Sequence, residues 1–546
     1  MKQFESTVTR GDGRHKVRLP WKDISSPLED NRVVAEHRLR TLVKRLRRSY
    51  SYLLDYDGAM RKYLEEGHAG VVTDSEPTSS EHVYYMPHQA VRESSTTTKL
   101  RVVFDASAHA PNTAPLNAYL EQRPKLNTEL IPLLLRFHTE GIALVSDIAQ
   151  ALLQVVVGEK DRDALRFLWY KETPAEEDPL SAPQVWRMTR VPFGTTSSPF
   201  LLAVTIIHHL NGVEERLKAT ASKLTASFYV DDPLTGASCE EDTQRIYKEA
   251  IAIMRSAGMH LRKWASNSKR LNQLYEEQED VGHGDHDTGL LGLRWDRQTD
   301  SLKLAQHNRS AGSESTTKRT ILQVSASVFD PLGFVSPFTI CSKILFQRIW
   351  QAGVGWDEDL PVEMVEEWTR WVEGLPYMQR IETPRFVSQG IGDIAGVQVH
   401  VFTDASPLAY GAVAYLRTED TTGGVSVILM ISKARVSPLK TLTLPRLELM
   451  GALVGCRLAK VIWSSLTNWP LKFYFWTDSS IVLQWIKGSV LRWKQFVRNR
   501  VTEVQSTTDP ASWRHCPGKE NPADLLTRGE KIQRFSSCKK WLKGPE

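Results

Sequence analysis

The sequence is poor in cysteine and has no long apolar run. Its five cysteines (Cys239, Cys341, Cys456, Cys516 and Cys538) are scattered without any Cys-x-x-Cys spacing, which excludes a zinc ribbon or knuckle and fits a reducing compartment. No apolar stretch is long enough to span a bilayer, and the N-terminus carries no apolar signal segment. Neither sign of charge prevails: 69 Lys and Arg stand against 64 Asp and Glu, a net charge of +5, so a nucleic-acid partner has to be argued from local patches. Internal repeats are lacking too. What is present is an ordinary globular composition, 41% hydrophobic and 24% charged, with 16 tryptophans that suggest packed cores or stacking surfaces. At 546 residues the chain exceeds what one core usually supports, roughly 250–300 residues, so several domains are expected.

The most informative stretch is Ala226-Ser227-Phe228-Tyr229-Val230-Asp231-Asp232. It reads as a short apolar strand that delivers two adjacent carboxylates to a turn. Pro233 is expected to stop the strand, because proline has no N–H for a ladder. Adjacent like charges are cheap on a solvated turn and useful where divalent cations neutralise them. An acidic hairpin tip is the ordinary reading of a lone Asp-Asp. The company this pair keeps argues for more.

Residues 1–80 begin polar and then give a basic helix at 37–48, with Leu39, Leu42, Val43 and Leu46 on one face. It suits a plain surface helix and a phosphate-contacting helix equally. Residues 83–88 and 99–105 form an expected hairpin on which Lys99 and Arg101 share a side, a placement suited to a triphosphate. Ile142–Ile148 is an apolar strand with Asp147 near its end, and a helix is expected to start at Ala149. Residues 165–170 and 184–188 make a second hairpin around an acidic, proline-rich loop. Phe193-Gly194 then leads through Thr195-Thr196-Ser197-Ser198 into an apolar helix, a place where a nucleotide can approach backbone closely. An amphipathic helix at 240–256, a basic strand at 258–264 containing Lys263, an acidic loop at 276–287 and a strand at 290–295 follow. The order strand–helix–helix–hairpin–helix–strand, with carboxylates at two strand ends, is a palm-like α+β arrangement.

As an ordered set, Arg101, Asp147, Phe193-Gly194, Tyr229-Val230-Asp231-Asp232, Lys263 and Leu291-Gly292-Leu293 resemble the successive polymerase motifs of a retroelement reverse transcriptase, across roughly residues 83–300. Residues 84–106 and Phe329-Asp330-Pro331-Leu332-Gly333-Phe334-Val335-Ser336-Pro337 are similar, more narrowly, to the BEL/Pao class of long-terminal-repeat retrotransposons. The resemblance implies a multidomain α+β protein: a right hand of fingers, palm and thumb, followed by an α/β ribonuclease H-like domain. It also implies nucleotidyl transfer with two Mg²⁺ ions per site, Mn²⁺ being a substitute, held by Asp147 and Asp231 with Asp232 beside them. Lys99 and Arg101 would clamp the triphosphate. Phe193, Gly194 and Tyr229 would line the nucleotide and template base, and Lys263 would give a proton to pyrophosphate. Five positions after the first aspartate the family usually has an aromatic residue that blocks a ribose 2′-hydroxyl. Here Leu152 stands there, a departure that bears on the preference for deoxynucleotides.

In residues 301–396, Trp350, Trp356, Trp368, Trp371 and a helix between Pro361 and Pro376 suggest a thumb or connection segment, with a structural spacer equally open. From residue 397 the pattern resets. Asp404 ends one strand, a second strand follows at 411–416, Glu448 lies near the start of a helix, Asp478 ends a third strand, and Asp524 precedes another helical start. Four acids in this order resemble a ribonuclease H domain over about 397–530. The resemblance implies that Asp404, Glu448, Asp478 and Asp524 hold two metal ions for hydrolysis of the RNA strand of an RNA–DNA hybrid. His515 precedes the Pro-Gly instead of standing where the family's mobile histidine sits, so it receives no catalytic role. The expected divisions are a basic, helical extension (1–80), fingers and palm (81–300), thumb or connection (301–396), the ribonuclease H-like domain (397–530) and a C-terminal tail (531–546).

The expected function is RNA-directed DNA polymerisation with ribonuclease H activity. Two alternatives stay open: a decayed or domesticated copy that binds nucleic acid without catalysis, and an enzyme of one activity whose other domain clamps duplex. Seven intact acids weigh against the first, and Leu152 is in its favour. The partners implied are an RNA template, a DNA primer, the RNA–DNA hybrid and deoxynucleoside triphosphates, with the duplex held by backbone and shape. No membrane partner is expected. The chain shows no Asp-Thr/Ser-Gly protease motif before the polymerase motifs and no zinc-binding integrase pattern after them, so it is expected to be a segment of a longer polyprotein whose protease and integrase are further partners. On that reading Met1 need not be a native start. The expected location is cytoplasmic, in a retroelement particle, with a later nuclear stage open.

Overall fold

The computed structural model describes residues 2–24, 28–73, 82–92, 100–122, 126, 128–174, 181–279, 287–305 and 316–545. Packing divides the chain into two compact units, one of residues 1–128, 145–233 and 244–264, the other of 129–144, 234–243 and 265–546. Both are discontinuous in sequence.

In the first unit the basic helix spans Arg32–Leu46 and buries Ala35, Leu39, Leu42, Val43 and Leu46, the stripe its spacing predicts. A second helix, Tyr50–Glu65, buries Leu53, Tyr56 and Met60. The Tyr56 hydroxyl lies 2.6 Å from His88 Nδ1, which ties this helix to the hairpin His88–Arg92/Leu100–Phe104. The other expected hairpin forms as Arg166–Trp169 against Gln184–Met188. The acids come from the strands Phe228–Tyr229, Asp232–Ala237, Ile142–Ile148 and Leu261–Ser266, hydrogen-bonded in that order, of which residues 145–148, 228–233 and 261–264 belong to this unit.

Three local expectations are corrected. Ala226 and Ser227 are helical, the last turn of Lys218–Ser227, because Leu224 and Ser227 continue that helix's buried face and Phe228 is the first extended residue. Pro233 does not stop the strand but pairs with Phe228, one step beyond the closing pair Tyr229–Asp232. That step is the non-hydrogen-bonded one in a two-residue hairpin, so the missing N–H costs the ladder with Phe228 nothing. After Asp147 the chain makes a 3₁₀ turn, Ala151–Gln154, and a short strand, Val156–Val157, where a helix was expected.

In the second unit, residues 290–295 are a hairpin instead of one strand. Leu290 pairs with Leu293, and Leu291 and Gly292 turn the chain with φ 48° and 86°, the signs a type I′ turn needs. The leucines on both sides of Gly292 hid it. The main sheet of this unit is five-stranded, in the order Val425–Val436, Ala409–Asp420, Ile394–Ala405, Lys472–Thr477, Trp513–His515. Its first three strands are antiparallel, and the last two run parallel to Ile394–Ala405. The helix Leu444–Ser465 lies on this sheet so closely that a Cβ on Gly451 would stand 2.7 Å from the Asp404 carbonyl oxygen. The strand Val425–Val436 and the helix Gln495–Thr507 had not been expected from the sequence.

Residues expected as spacer and tail also pack here. Trp541 is fully buried and its indole N–H donates to Phe334 O (2.9 Å), while the Tyr415 hydroxyl donates to Trp541 O (2.7 Å). Arg385 is wholly buried. It forms a forked pair with Asp300 (2.6 and 2.7 Å) and donates to the carbonyls of Phe137, Glu140 and Gly141. Among the described residues no helix is long and apolar enough to cross a membrane.

Breaking one partner of a buried pair leaves an uncompensated charge, so Arg385→Leu should destabilise the second unit by about 3–5 kcal/mol. Urea unfolding should show its transition moved to lower denaturant. An unmoved transition would mean that Asp300 finds water or another cation.

Candidate active sites

Tyr229 and Asp232 close a hairpin whose loop is Val230-Asp231. Val230 has φ 60°, a left-handed conformation that β-branched residues rarely adopt. Gln150 (φ 49°) and Lys263 (φ 53°), on the two neighbouring segments, share it. Ile148 N–H donates to Asp231 O (3.1 Å) and Ala149 N–H to His260 O (2.8 Å). These bonds gather the ends of three strands, and with them Asp147, Asp231 and Asp232. Strain on three segments around one acid cluster shows a geometry held by its surroundings.

The electrostatics show the same convergence. Burial, then the charges of Asp231 and Asp147, push the Asp232 carboxyl up to about 7, against relief from Lys263. Burial also raises Asp231; Asp147 adds to this, while its own backbone N–H, Arg101 and Lys263 counter it. Asp147 is more open and binds Arg262 Nε and Lys263 Nζ, each at 2.9 Å. Lys263 thus sits on the first aspartate. Arg262, which the sequence reading passed over within its basic strand, does as well.

A cavity of about 520 Å³ opens beside these acids, and Arg101, Asp147, Ala151, Leu153, Phe193, Asp231 and Lys263 are among its lining residues. Phe193 is 45% exposed. It is followed by Gly194 at φ 109°, where a Cβ would overlap the Phe104 carbonyl oxygen, so only glycine fits. Asn117, another residue missed in the sequence, clamps this loop: it donates to Gly194 O (3.1 Å) and accepts from Thr196 N–H (2.8 Å). Leu152 is buried and is not part of the cavity wall, which Ala151 and Leu153 form at that level. Tyr229 is half-buried in the hairpin. Lys99 lies outside the described residues.

The second acid cluster lies wholly in the second unit. Thr403 pairs with Thr477 and Thr477 with His515, so the parallel strands bring Asp404 and Asp478 side by side. Glu448 comes from the first turns of Leu444–Ser465, and Asp524 opens Asp524–Arg528. Burial pushes the Asp404 carboxyl up to about 7, with Asp478 and Asp524 adding to it and the Thr527 hydroxyl opposing. Asp478 is raised by burial and by Asp524, and Glu448 by burial and by Asp478. Asp404 and Asp478 thus both stand in the field of Asp524, and Glu448 joins the cluster through Asp478. Asp524 is also paired with Arg528 (2.6 Å), and His515 Nε2 donates to the Asp478 carbonyl (3.2 Å), at the cluster's edge.

Among the described residues no three His, Cys, Asp or Glu side chains converge as a ready metal cage. The donor sets nonetheless fit a hard divalent cation. They are all oxygen, and Asp478 Oδ1 is buried with no hydrogen-bond partner.

Residues 317–479 match the family described as the Pao retrotransposon-like RNaseH-like domain. That span includes the loop at 329–337 as well as Asp404, Glu448 and Asp478. A search of the curated proteins gives no match. Among solved structures, the foamy viral protease-reverse transcriptase dRH in complex with double-stranded DNA is 16% identical, with a TM-score of 0.52, and the match covers 84% of this chain and 68% of that one. The foamy viral protease-reverse transcriptase in complex with an RNA/DNA hybrid is 13% identical, with a TM-score of 0.52, covering 97% of this chain and 60% of that one. A double-stranded DNA complex is 13% identical, at 0.50, covering 91% and 86%. At these identities the likeness is one of fold.

Asp232 yields a prediction for metal-free protein. Its folded pKa, about 7, lies above the ordinary 3.8, so its charge destabilises the fold above pH 7 and the penalty fades as pH falls towards 4. Asp232→Asn should therefore stabilise the chain at pH 8 by on the order of 1 kcal/mol and give no gain near pH 4. Thermal melts in chelator across that range check it, and a gain that persists at pH 4 would contradict the burial argument. Residues 317–479 thus match the Pao retrotransposon-like RNaseH-like domain family, and the chain shares the fold of the foamy viral protease-reverse transcriptase structures.

Proposed function

We propose that the chain is an RNA-directed DNA polymerase that copies retroelement RNA into DNA and removes the RNA strand of the resulting hybrid with its ribonuclease H-like domain. The gathering of Asp147, Asp231 and Asp232 at neighbouring strand ends, beside a cavity lined by Asp147, Asp231, Arg101, Lys263 and Phe193, carries this reading.

Two Mg²⁺ ions, or Mn²⁺ in their place, would be held by Asp147 and Asp231 with Asp232 beside them, where they neutralise charge on the attacking and leaving oxygens of phosphoryl transfer. The chain's own groups do the rest. Arg101 faces the cavity as a phosphate donor, with Lys99 proposed beside it. Phe193 presents an aromatic face to a base. Lys263 leaves Asp147 to meet the departing pyrophosphate and give it a proton. Asp404, Glu448, Asp478 and Asp524 would hold the same ions in the second site, where the bare Asp478 Oδ1 is a waiting acceptor.

The foamy viral structures contain double-stranded DNA and an RNA/DNA hybrid, which supports nucleic-acid partners here. An RNA template, a DNA primer, deoxynucleoside triphosphates, further polyprotein segments and a cytoplasmic particle complete the proposal. The thumb assigned to 301–396 and the other expected divisions belong to it too.

Primer extension on an RNA template with Mg²⁺ tests the first site. The unsubstituted chain should extend, and Asp231→Asn should not. Asp404→Asn should abolish hybrid degradation and leave extension intact. A folded, unsubstituted chain that binds primer–template yet never extends it would turn the reading to a non-catalytic binder.

A further inference from the structure

We infer that the ribonuclease H-like domain carries a second nucleic-acid site, a groove for a single strand at the end of Lys472–Thr477 remote from Asp478. Trp513–His515 pairs with this strand only from Phe475 to Thr477, so Lys472, Phe473 and Tyr474 are left without a partner on that side. A cavity of about 790 Å³ lies there, and Lys460, Trp463, Lys472, Phe473, Tyr474 and Arg514 are among its walls. That volume is within the usual range for ligand sites. Six residues of extended chain separate Lys472 from Asp478, about 20 Å, and Phe475, the wall residue of this strand nearest to it, stands about 10 Å away. None of the four acids is in the wall, so the groove is distinct from the acid cluster.

Its composition points to the ligand. Trp463 is 61% exposed and rests on Phe473, their ring centroids 5.7 Å apart, so a broad aromatic face meets solvent. The Arg514 guanidinium lies 4.6 Å from the Tyr474 ring centroid and Lys472 Nζ lies 5.4 Å from it. Both cations are thus held on an aromatic face with donors left for an anion. Among the described residues, neither Lys472 nor Arg514 forms an ion pair, while the charge of Lys460 acts on Glu503; the acid in the wall, Asp509, accepts from Ala511 N–H. Bases stack on aromatic faces while phosphates meet the cations, which is how single strands are bound without sequence preference. An acidic peptide would use the cations and leave Trp463 idle. A duplex keeps its base faces stacked inside and has none to offer.

The probe is a single-stranded deoxythymidine dodecamer bearing 5-bromouracil, crosslinked by light to the full chain and mapped by mass spectrometry. Crosslinks are expected in the peptides holding Trp463 and Tyr474. Trp463→Ala, or Lys472→Glu with Arg514→Glu, should lower that yield about tenfold, with circular dichroism unchanged. Both sites are exposed, so the fold should survive the changes. Crosslinks confined to the Phe193 and Tyr229 peptides would overturn the groove and leave the polymerase cleft standing. Groove crosslinks in a chain that extends no primer would keep the groove and sink the polymerase reading. An undiminished yield in the variants, or displacement by poly-glutamate at equal charge, would overturn the single-strand assignment.

Discussion

Like charges gathered out of water are the constraint on which both candidate sites depend. A carboxylate leaving water prefers to take up a proton, and a neighbouring carboxylate strengthens that preference. Asp232 and Asp404 are both driven to about 7, each by burial first and by neighbouring acids next. No fold keeps such groups together for stability. The two clusters relieve the strain differently. Around Asp147 and Asp231 the relief comes from cations: Arg262, Lys263 and Arg101. Around Asp404 it comes from a hydroxyl, Thr527, with Arg528 held on Asp524 beside it, while Asp478 Oδ1 is left bare. The first cluster therefore has cations to move aside, and the second has an acceptor ready.

Acids held against repulsion need a frame that does not give. In the first unit the frame is local: a two-residue hairpin, a glycine fitted under a carbonyl and an asparagine clamp, with the cost visible as left-handed backbone at Val230, Gln150 and Lys263. In the second unit it is broader. The five-stranded sheet is locked by the close seat of Leu444–Ser465 at Gly451 and by Trp541 from the far end of the chain. Arg385 ties residues 137–141 to Asp300 by donating every bond it has to offer in that direction.

Glu448 and Asp524 stood out in the sequence only by their place near helix starts. Asp147, Asp231, Asp404 and Asp478 stood out because each follows or ends an apolar run, and such a run fixes a strand more firmly than it fixes the strand's partner. The amphipathic stripe of Arg32–Leu46 was legible for the same reason. What failed was local geometry set by neighbours. Ala226 and Ser227 have no strong preference of their own and follow the helix behind them. Leu291-Gly292 turns within leucines that all look alike. Leu152 was placed by counting from Asp147, but the 3₁₀ turn that carries it sends Ala151 and Leu153 to the cavity wall. Arg262 and Asn117 act through partners 115 and 77 residues away. No spacing rule reaches that far.

The loop at 329–337 shows why a distinctive motif and a chemical one are different things. Phe329-Asp330-Pro331-Leu332-Gly333-Phe334-Val335 bears the narrowest resemblance in the chain, yet its acid is wholly occupied with its own backbone. Asp330 accepts from Phe334 and Val335 N–H, each at 2.8 Å, and its carboxyl is raised by burial to about 6 despite them. Leu332 O accepts from Ser432 N–H (2.8 Å), and Phe334 O from the Trp541 indole. Leu332 and Gly333 meet Ser432 on the strand Val425–Val436 just before helix Ser336–Gln351 begins, while Phe329 is half exposed. Such a sequence is distinctive because many simultaneous packing demands leave few solutions, whereas a catalytic carboxylate asks only for a strand end and a neighbour of like charge. The family match spanning 317–479 takes in both the loop and three of the four acids, and the chemistry has to be read from the acids themselves.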